Sequence, residues 1–226
     1  MPDPIPGAVI VIAKTPQAGR VKTRLSPPLT PDEACEVAWA CLLDTLSMVA
    51  AVPAARHIVL LDGPPGRWIP PSFEVIAQRG KGLAERLANG FVDVADSAVL
   101  VAMDTPHAPS DLVAGALGDL RDGYDAVFGP ASDGGYWMIG LRAGIDAAAV
   151  FCDVPMSTDH TGLDQMLRLQ TLSLVITTVP EQRDIDCMAD LVDIAGSPRA
   201  GRLGALSFLQ VPKQDVLSDP PAGILD

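Results

Sequence analysis

The chain has 226 residues, long enough for one α/β domain with a complete apolar core and no staple of disulfide or zinc. Apolar residues make up 48% and charged residues 19%, a globular balance that excludes a disordered chain, and the net charge of −12 excludes a general nucleic-acid binder. The positive charge is concentrated: Lys14, Arg20, Lys22 and Arg24 stand against Asp3 alone in the first 24 residues, a pattern suited to a small anionic ligand. The N-terminal apolar run 8–13 is six residues long and lacks the basic flank of a signal peptide. No run reaches the roughly 20 residues of a membrane helix, so the expected location is cytoplasmic, without membrane insertion. Cys35, Cys41, Cys152 and Cys187 form no CxxC pair and are expected to be reduced core thiols.

Taken in chain order, residues 8–13 (AVIVIA) predict a strand buried on both faces. A basic loop, 14–29, follows. Thr30-Pro31-Asp32-Glu33 then predicts a helix start with a capping box, and apolar residues recur at helical spacing to about residue 51. Strands are expected at 57–61 and 73–77, a helix through Leu83, Leu87, Phe91 and Val94, and a doubly buried strand at 98–103. A helix through 112–120 stops at Gly123. Residues 124–128 and 136–141 predict two strands joined too closely for a crossover helix, so one of them should be antiparallel. Helices at 146–151 and 162–170, a last strand at 172–179 and a last helix at 187–194 complete the pattern. The expected architecture is an open, mostly parallel α/β sheet covered by helices on both faces. Its ligand crevice would lie beyond the carboxyl ends of the strands. The domain is expected over 1–197, with 198–226 a C-terminal extension, partly mobile from Val211 where prolines accumulate.

The loops at those strand ends hold the candidate chemistry. Lys14, Gly19, Arg20, Lys22 and Arg24 offer cations and a permissive backbone for phosphates, though neither a Walker loop nor GxGxxG is present. Exposed, Lys22 and Arg24 should tolerate alanine without loss of the fold. Asp104-Thr105-Pro106 ends the central strand, where a carboxylate can hold Mg²⁺ or Mn²⁺; a turn or cap is the plainer reading. Asp184 and Asp186, two apart, face one side of extended backbone and can supply the second carboxylate, while Asp186 can equally cap the last helix. Ser132-Asp133-Gly134-Gly135-Tyr136 is either a hairpin turn or a place where ligand meets backbone. Ser157, Thr158 and His160 form a polar cluster suited to capping or to binding, and the 78–86 loop, with Gly82 and Arg86, opens a helix whose N–H groups can hold an anion.

In order, AK-x-P-x-x-G-x-x-K-T-R-L, G-x-x-E-R-L, D-T-P, G-P-x-x-D-G-G-Y, S-T and R-D-I-D resemble the DUF2064 family, which is glycosyltransferase-like and nucleotide-diphospho-sugar transferase-like. The resemblance covers about residues 8–194. Asp104-Thr105-Pro106 stands where the family has Asp-Ser-Pro, Met156-Ser157-Thr158 where it has Trp-Ser-Thr, and Asp186-Cys187 where it has Asp-Thr. The resemblance implies a GT-A-type, three-layer α/β/α fold with one antiparallel strand. It also implies a metal-dependent transferase taking a nucleotide-sugar or nucleoside triphosphate and a small-molecule acceptor. In that expectation Asp104 with Asp186 or Asp184 holds the metal on the diphosphate, Asp133 and His160 are candidate catalytic groups, and the basic loop contacts phosphates. Glycosyl transfer ranks ahead of nucleotidyl transfer; a non-catalytic nucleotide-binding module is the remaining alternative.

Overall fold

A computed structural model describes residues 3–209. Seven strands form one sheet: β1 (Ile5–Lys14), β2 (Ala54–Asp62), β3 (Phe73–Ala77), β4 (Ala98–Ala102), β5 (Ala126–Pro130), β6 (Tyr136–Leu141) and β7 (Ile176–Thr178). Their order across the sheet is β3-β2-β1-β4-β6-β5-β7. All neighbours are parallel except β6, which is antiparallel to both β4 and β5. The tight connection between β5 and β6 therefore does what its length dictates.

Alternation along the strands sorts the core into two layers. Val9 and Val11 of β1 and Val99 and Val101 of β4 pack under α1 (Pro31–Ala50) and α3 (Ser110–Arg121), against Leu42, Leu46, Leu117 and Leu120. Ala8 and Ile10, with Ala98 and Leu100, face α2 (Leu83–Val94), α4 (Ala147–Phe151) and α5 (Thr161–Thr171) through Leu87, Phe91, Phe151 and Leu169. This is the three-layer, mostly parallel sheet expected of the GT-A type. Among the described residues no helix is long and apolar enough to cross a membrane.

Helix starts follow their local chemistry. Thr30 accepts from the Glu33 N–H at 3.2 Å while the Glu33 carboxylate accepts from the Thr30 N–H at 2.7 Å, closing the capping box. The last strand is shorter than expected because helix termination uses its first residues. Leu172 caps α5, Ser173 adopts φ +55° and Leu174 donates back to the Leu169 carbonyl, which leaves three residues for pairing.

The segment after α6 (Met188–Ala195) is packed onto the domain as far as it is described. The carboxylate of Asp44, buried on α1, accepts from the Arg202 N–H at 2.7 Å, the Leu203 N–H at 3.3 Å and the Arg202 guanidinium at 2.7 Å. Gly201 sits at φ +52°, and a side chain there would lie 2.6 Å from the Asp44 oxygen. Leu203 is fully buried with Leu25, Val37, Cys41, Ile185 and Leu191 in a third cluster, which backs both the first loop and the 184–186 segment. The tail from Val211 lies outside the described residues. The cysteine expectation is corrected in part. Cys41 is buried, with desolvation pushing its thiol up to about 12, whereas Cys152 and Cys187 are exposed; all four are free.

Candidate active site at the strand ends

Three strand-end segments converge at the carboxyl side of the sheet. The first loop leaves β1 and folds into a short 3-10 turn, Thr23–Leu25, anchored by buried Leu25. Asp104 follows β4. Asp184, Ile185 and Asp186 follow β7, with the Ile185 side chain buried between two carboxylates that turn outward. The Ile185 N–H donates to the Asp104 carbonyl at 3.1 Å, tying two of these segments together. Gln182 brings in a fourth: its N–H donates to the Pro130 carbonyl and its carbonyl accepts from the Ser132 N–H, drawing the β5–β6 hairpin and Asp133 alongside.

Lys22 is the centre of one half of the site. Its side chain is only 7% exposed, and Nζ lies 2.9 Å from Asp104 Oδ1 and 3.7 Å from Asp186 Oδ1 while donating to the Ile185 carbonyl. Burial works against this ammonium, but the field of Asp104 and Asp186 outweighs it and its pKa is raised. Lys22 is thus a built-in counter-ion and not a solvated loop cation, which corrects the expectation that it is exposed. Arg24 Nη1 pairs with Asp186 Oδ2 at 2.6 Å, with the guanidinium largely in solvent.

The other half is acidic. Carboxylate oxygens of Asp133, Asp184 and Asp186 all lie within 4.8 Å of one another. Desolvation, followed by the charges of Asp133 and Asp186, pushes Asp184 up to about 6. Hard, anionic oxygens at this separation suit Mg²⁺ or Mn²⁺, whose cis ligands at about 2.1 Å stand roughly 3 Å apart. Asp133 is expected from the sequence as a candidate catalytic group in a hairpin turn. Its membership in the cluster was not anticipated, because that depends on the Gln182 bridge, for which the local pattern carries no signal.

Two chambers meet at these carboxylates and share Arg24, Asp104 and Asp186. A cavity of about 470 Å³ also touches Asp133, Gly135, Ser157, Thr158 and Asp184. A smaller one of about 300 Å³ is lined by Lys14, Lys22 and Thr23. Other predicted residues are not brought to these chambers. Gly19 faces open space, and Arg20 Nη1 bonds Gln17 at 3.2 Å. Arg86 pairs with Asp62 at 2.9 Å and so fixes the crevice wall, while Gly82 is the N-cap residue of α2. Thr105 is buried, and His160 Nδ1 is held by Asp164 at 2.7 Å on an exposed turn. Gly134, at φ +88°, is approached by the protein itself: a Cβ there would lie 1.8 Å from the Asp159 carbonyl oxygen, and its own carbonyl accepts from Gly162 N–H at 2.8 Å. The glycine pair thus seats the 157–161 turn against the hairpin.

A seven-stranded, mostly parallel sheet with this order and a reversed β6 is that of the nucleotide-diphospho-sugar transferase and cytidylyltransferase folds. Within it, the chain belongs to the DUF2064 family, described as uncharacterized protein conserved in bacteria, whose profile matches residues 45–158. No protein of curated function matches the chain in sequence. Among solved structures, it is similar to a protein of Desulfovibrio desulfuricans G20 named, by assignment, a nucleotide-diphospho-sugar transferase. The two are 28% identical with a TM-score of 0.79, over 89% of this chain and 93% of the other. The CMP:2-keto-3-deoxy-manno-octonic acid synthetase in complex with CTP shares the fold at 15% identity and a TM-score of 0.53, over 85% and 97% of the two chains. A cytidylyltransferase from Leptospira borgpetersenii does so at 11% and 0.52, over 80% and 78%.

Proposed function

We propose that this protein is a metal-dependent transferase using a nucleotide-activated donor, and that it moves the glycosyl group of a nucleotide-diphospho-sugar to a small-molecule acceptor in the cytoplasm. The observation that carries this reading is the convergence of Asp104, Asp133, Asp184 and Asp186 beside Lys14, Lys22 and Arg24 at one edge of the sheet. The assigned name of the 28%-identical Desulfovibrio protein supports it.

In this reading Asp186, with Asp104 or with Asp184 and Asp133, would hold Mg²⁺ or Mn²⁺. When bound, the ion supplies Lewis-acid stabilisation of charge on the departing diphosphate. Lys14 and Arg24 face the smaller chamber and contact phosphate oxygens, as charge-assisted donors do. Lys22 pairs with Asp104 and Asp186 and keeps the two side chains in register. Ser157 and Thr158 line the larger chamber and contact the sugar or acceptor. The acceptor attacks the sugar C1, and the nucleoside diphosphate leaves with the bonding electron pair.

The basic first loop favours a second reading, nucleotidyl transfer, in which a phosphorylated acceptor attacks the α-phosphate of a nucleoside triphosphate and pyrophosphate leaves. A thermal-shift screen of nucleotide-sugars and nucleoside triphosphates with Mg²⁺ or Mn²⁺, followed by assay of slow donor hydrolysis, separates the readings. A ligand at one hundred times Kd should stabilise by about 2.7 kcal/mol. Metal-dependent stabilisation by nucleotide-sugars and release of nucleoside diphosphate is the expected result. Pyrophosphate release selects the second reading, binding without turnover a non-catalytic module, and no metal-dependent shift with any nucleotide overturns all three.

A further inference from the structure

The two chambers differ in chemistry, and the difference bears on the acceptor. The smaller one carries Lys14, Lys22 and Arg24, the cations that a phosphate chain requires. The larger one carries Asp104, Asp133, Asp159, Asp184 and Asp186 against Arg24 alone, and that guanidinium is already held by Asp186. In the metal-free protein a phosphorylated molecule entering the larger chamber would meet carboxylates, and the chamber's one guanidinium, Arg24, is already paired with Asp186.

Opposite those carboxylates the wall is apolar. Half-buried Ile12 and the edge of buried Leu100 contribute from the sheet, and Leu83 and the edge of buried Leu87 from the first turns of α2. Leu83 is 41% exposed although the other apolar residues of its stripe, Leu87, Phe91 and Val94, are buried. Met156 and Tyr136 close the wall. Tyr136 Oη donates only to the Met156 sulfur, at 3.8 Å, a weak acceptor that a ligand oxygen would readily replace. Burial raises the phenol's pKa, so the group stays a donor.

From this geometry we propose that the larger chamber is an acceptor subsite for an uncharged, largely apolar alcohol, its body against Ile12, Leu83, Leu87, Leu100 and Met156, its oxygen near Tyr136 and the carboxylates. The inference rests on the transferase reading above and narrows it. The acceptor hydroxyl oxygen forms the new bond to the sugar C1 and the bond from C1 to the diphosphate oxygen breaks, its electrons leaving with the diphosphate. The hydroxyl proton passes to a carboxylate of the cluster and then to solvent. An alcohol of this kind needs no phosphate of its own, which separates it from the acceptor that nucleotidyl transfer demands.

The test titrates the whole protein, freed of divalent metal, with primary n-alcohols from butanol to octanol and with the matching alkyl phosphates, followed by ligand-observed NMR. Affinity for the alcohols should rise about fourfold per methylene while the wall is being covered. Each alkyl phosphate should bind at least tenfold more weakly than its alcohol. Leu83→Gln and Tyr136→Phe should each weaken octanol binding several-fold and leave the thermal shift given by UDP-glucose, GDP-mannose, CTP or GTP with Mg²⁺ unchanged. Affinity independent of chain length, or phosphates binding as well as alcohols, overturns the proposal. So does a Leu83→Gln protein that loses its nucleotide shift and keeps octanol, for the chamber would then hold the donor's nucleoside. A wild-type protein that follows the alcohol series without any nucleotide shift supports the chamber's ligand class and overturns the transferase reading instead.

Discussion

At the first-loop half of the rim, Asp104 and Asp186 close on the ammonium of Lys22, whereas at the hairpin half Asp133 and Asp184 face one another with no ion pair formed on either among the described residues. The contrast appears in their electrostatics. The Lys22 pKa is raised because its carboxylates outweigh burial, and Asp184 is pushed up to about 6 because burial and two carboxylates act on it together. A buried charge whose partner is supplied by the protein contributes to the fold. A carboxylate whose neighbours are other carboxylates is held at a disadvantage that an incoming cation relieves. The two halves meet in Asp186, so a substitution on either side reports on one role with the other left in place.

The largest expected effect is on the compensated side. Lys22→Ala removes the counter-ion and leaves two part-buried carboxylates facing each other. The loss should be about 3 kcal/mol, toward the low end for breaking a buried pair because both carboxylates are one-third exposed. For a chain of this size that lowers Tm by roughly 6–12 °C, readable by calorimetry. A Tm within about 2 °C of wild type would show that the ammonium is replaceable by water. It would also restore the reading of Lys22 as a surface cation.

Next is Asp104→Asn, which keeps size and turn chemistry and removes the charge. If Asp104 shares the metal with Asp186, metal-dependent nucleotide binding and turnover fall together by about a hundredfold, equivalent to roughly 2.7 kcal/mol. If its only cation is Lys22, thermal stability falls and the Mg²⁺ titration stays where it was. We expect the first outcome, since both carboxylates already reach one ammonium and are therefore close enough to share a cation.

Asp184 gives a smaller effect with a definite sign. Its folded pKa is raised above that of the unfolded chain, so the fold favours the protonated form. Stability of the metal-free protein should therefore decrease as pH rises from about 4 to about 6 and level off above that. Metal affinity should run the other way, rising through the same window as the carboxylate ionises. Asp184→Asn should flatten both profiles and raise metal-free stability at pH 7 by about 1 kcal/mol, a figure reduced from the full shift for solvent screening of a half-buried group. Urea midpoints between pH 4 and 8 measure the first profile and Mn²⁺ titration the second. A stability curve unchanged by the substitution would mean that Asp184 is well solvated.

These halves were unequally legible in the sequence. The six-residue apolar run at 8–13 and its partner at 98–103 fixed a doubly buried sheet, and the short 124–141 connection forced one reversed strand, because both follow from burial and loop length alone. Asp184 and Asp186 could be placed on one side because alternation in extended backbone is local. Burial of Lys22 could not be read, since it depends on Leu25 and Ile185 docking against Leu203, some 180 residues along the chain from the first loop. Nor could the grouping of Asp133 with Asp184, which hangs on backbone bonds between residues 130–132 and Gln182. Gly134 was legible as a point of close approach, but what approaches it is the backbone of Asp159. The extent of the last strand was overread because alternating apolar residues look alike whether they pair in a sheet or close a helix.

The smallest expected effect belongs to Arg24, which pairs with Asp186 where the two halves meet. Its guanidinium is 76% exposed and its pair with Asp186 at 2.6 Å is therefore solvent-screened. Arg24→Ala should change stability by no more than about 0.5 kcal/mol, in contrast with the loss of about 3 kcal/mol expected of Lys22→Ala two residues away in the sequence. Arg24 also borders both chambers, so a ligand carrying phosphate at their junction passes within its reach. Losing one charge-assisted contact should weaken nucleotide binding by about fivefold, and the loss should shrink as salt is raised from 50 to 500 mM. Removing Arg24 also strips Asp186 of its outer partner, so Mn²⁺ binding without nucleotide should hold steady or tighten slightly. Isothermal titration of nucleotide with metal and of metal alone separates these two signs in one variant. Weaker binding in both titrations would assign Arg24 to holding Asp186 in place and not to the phosphates.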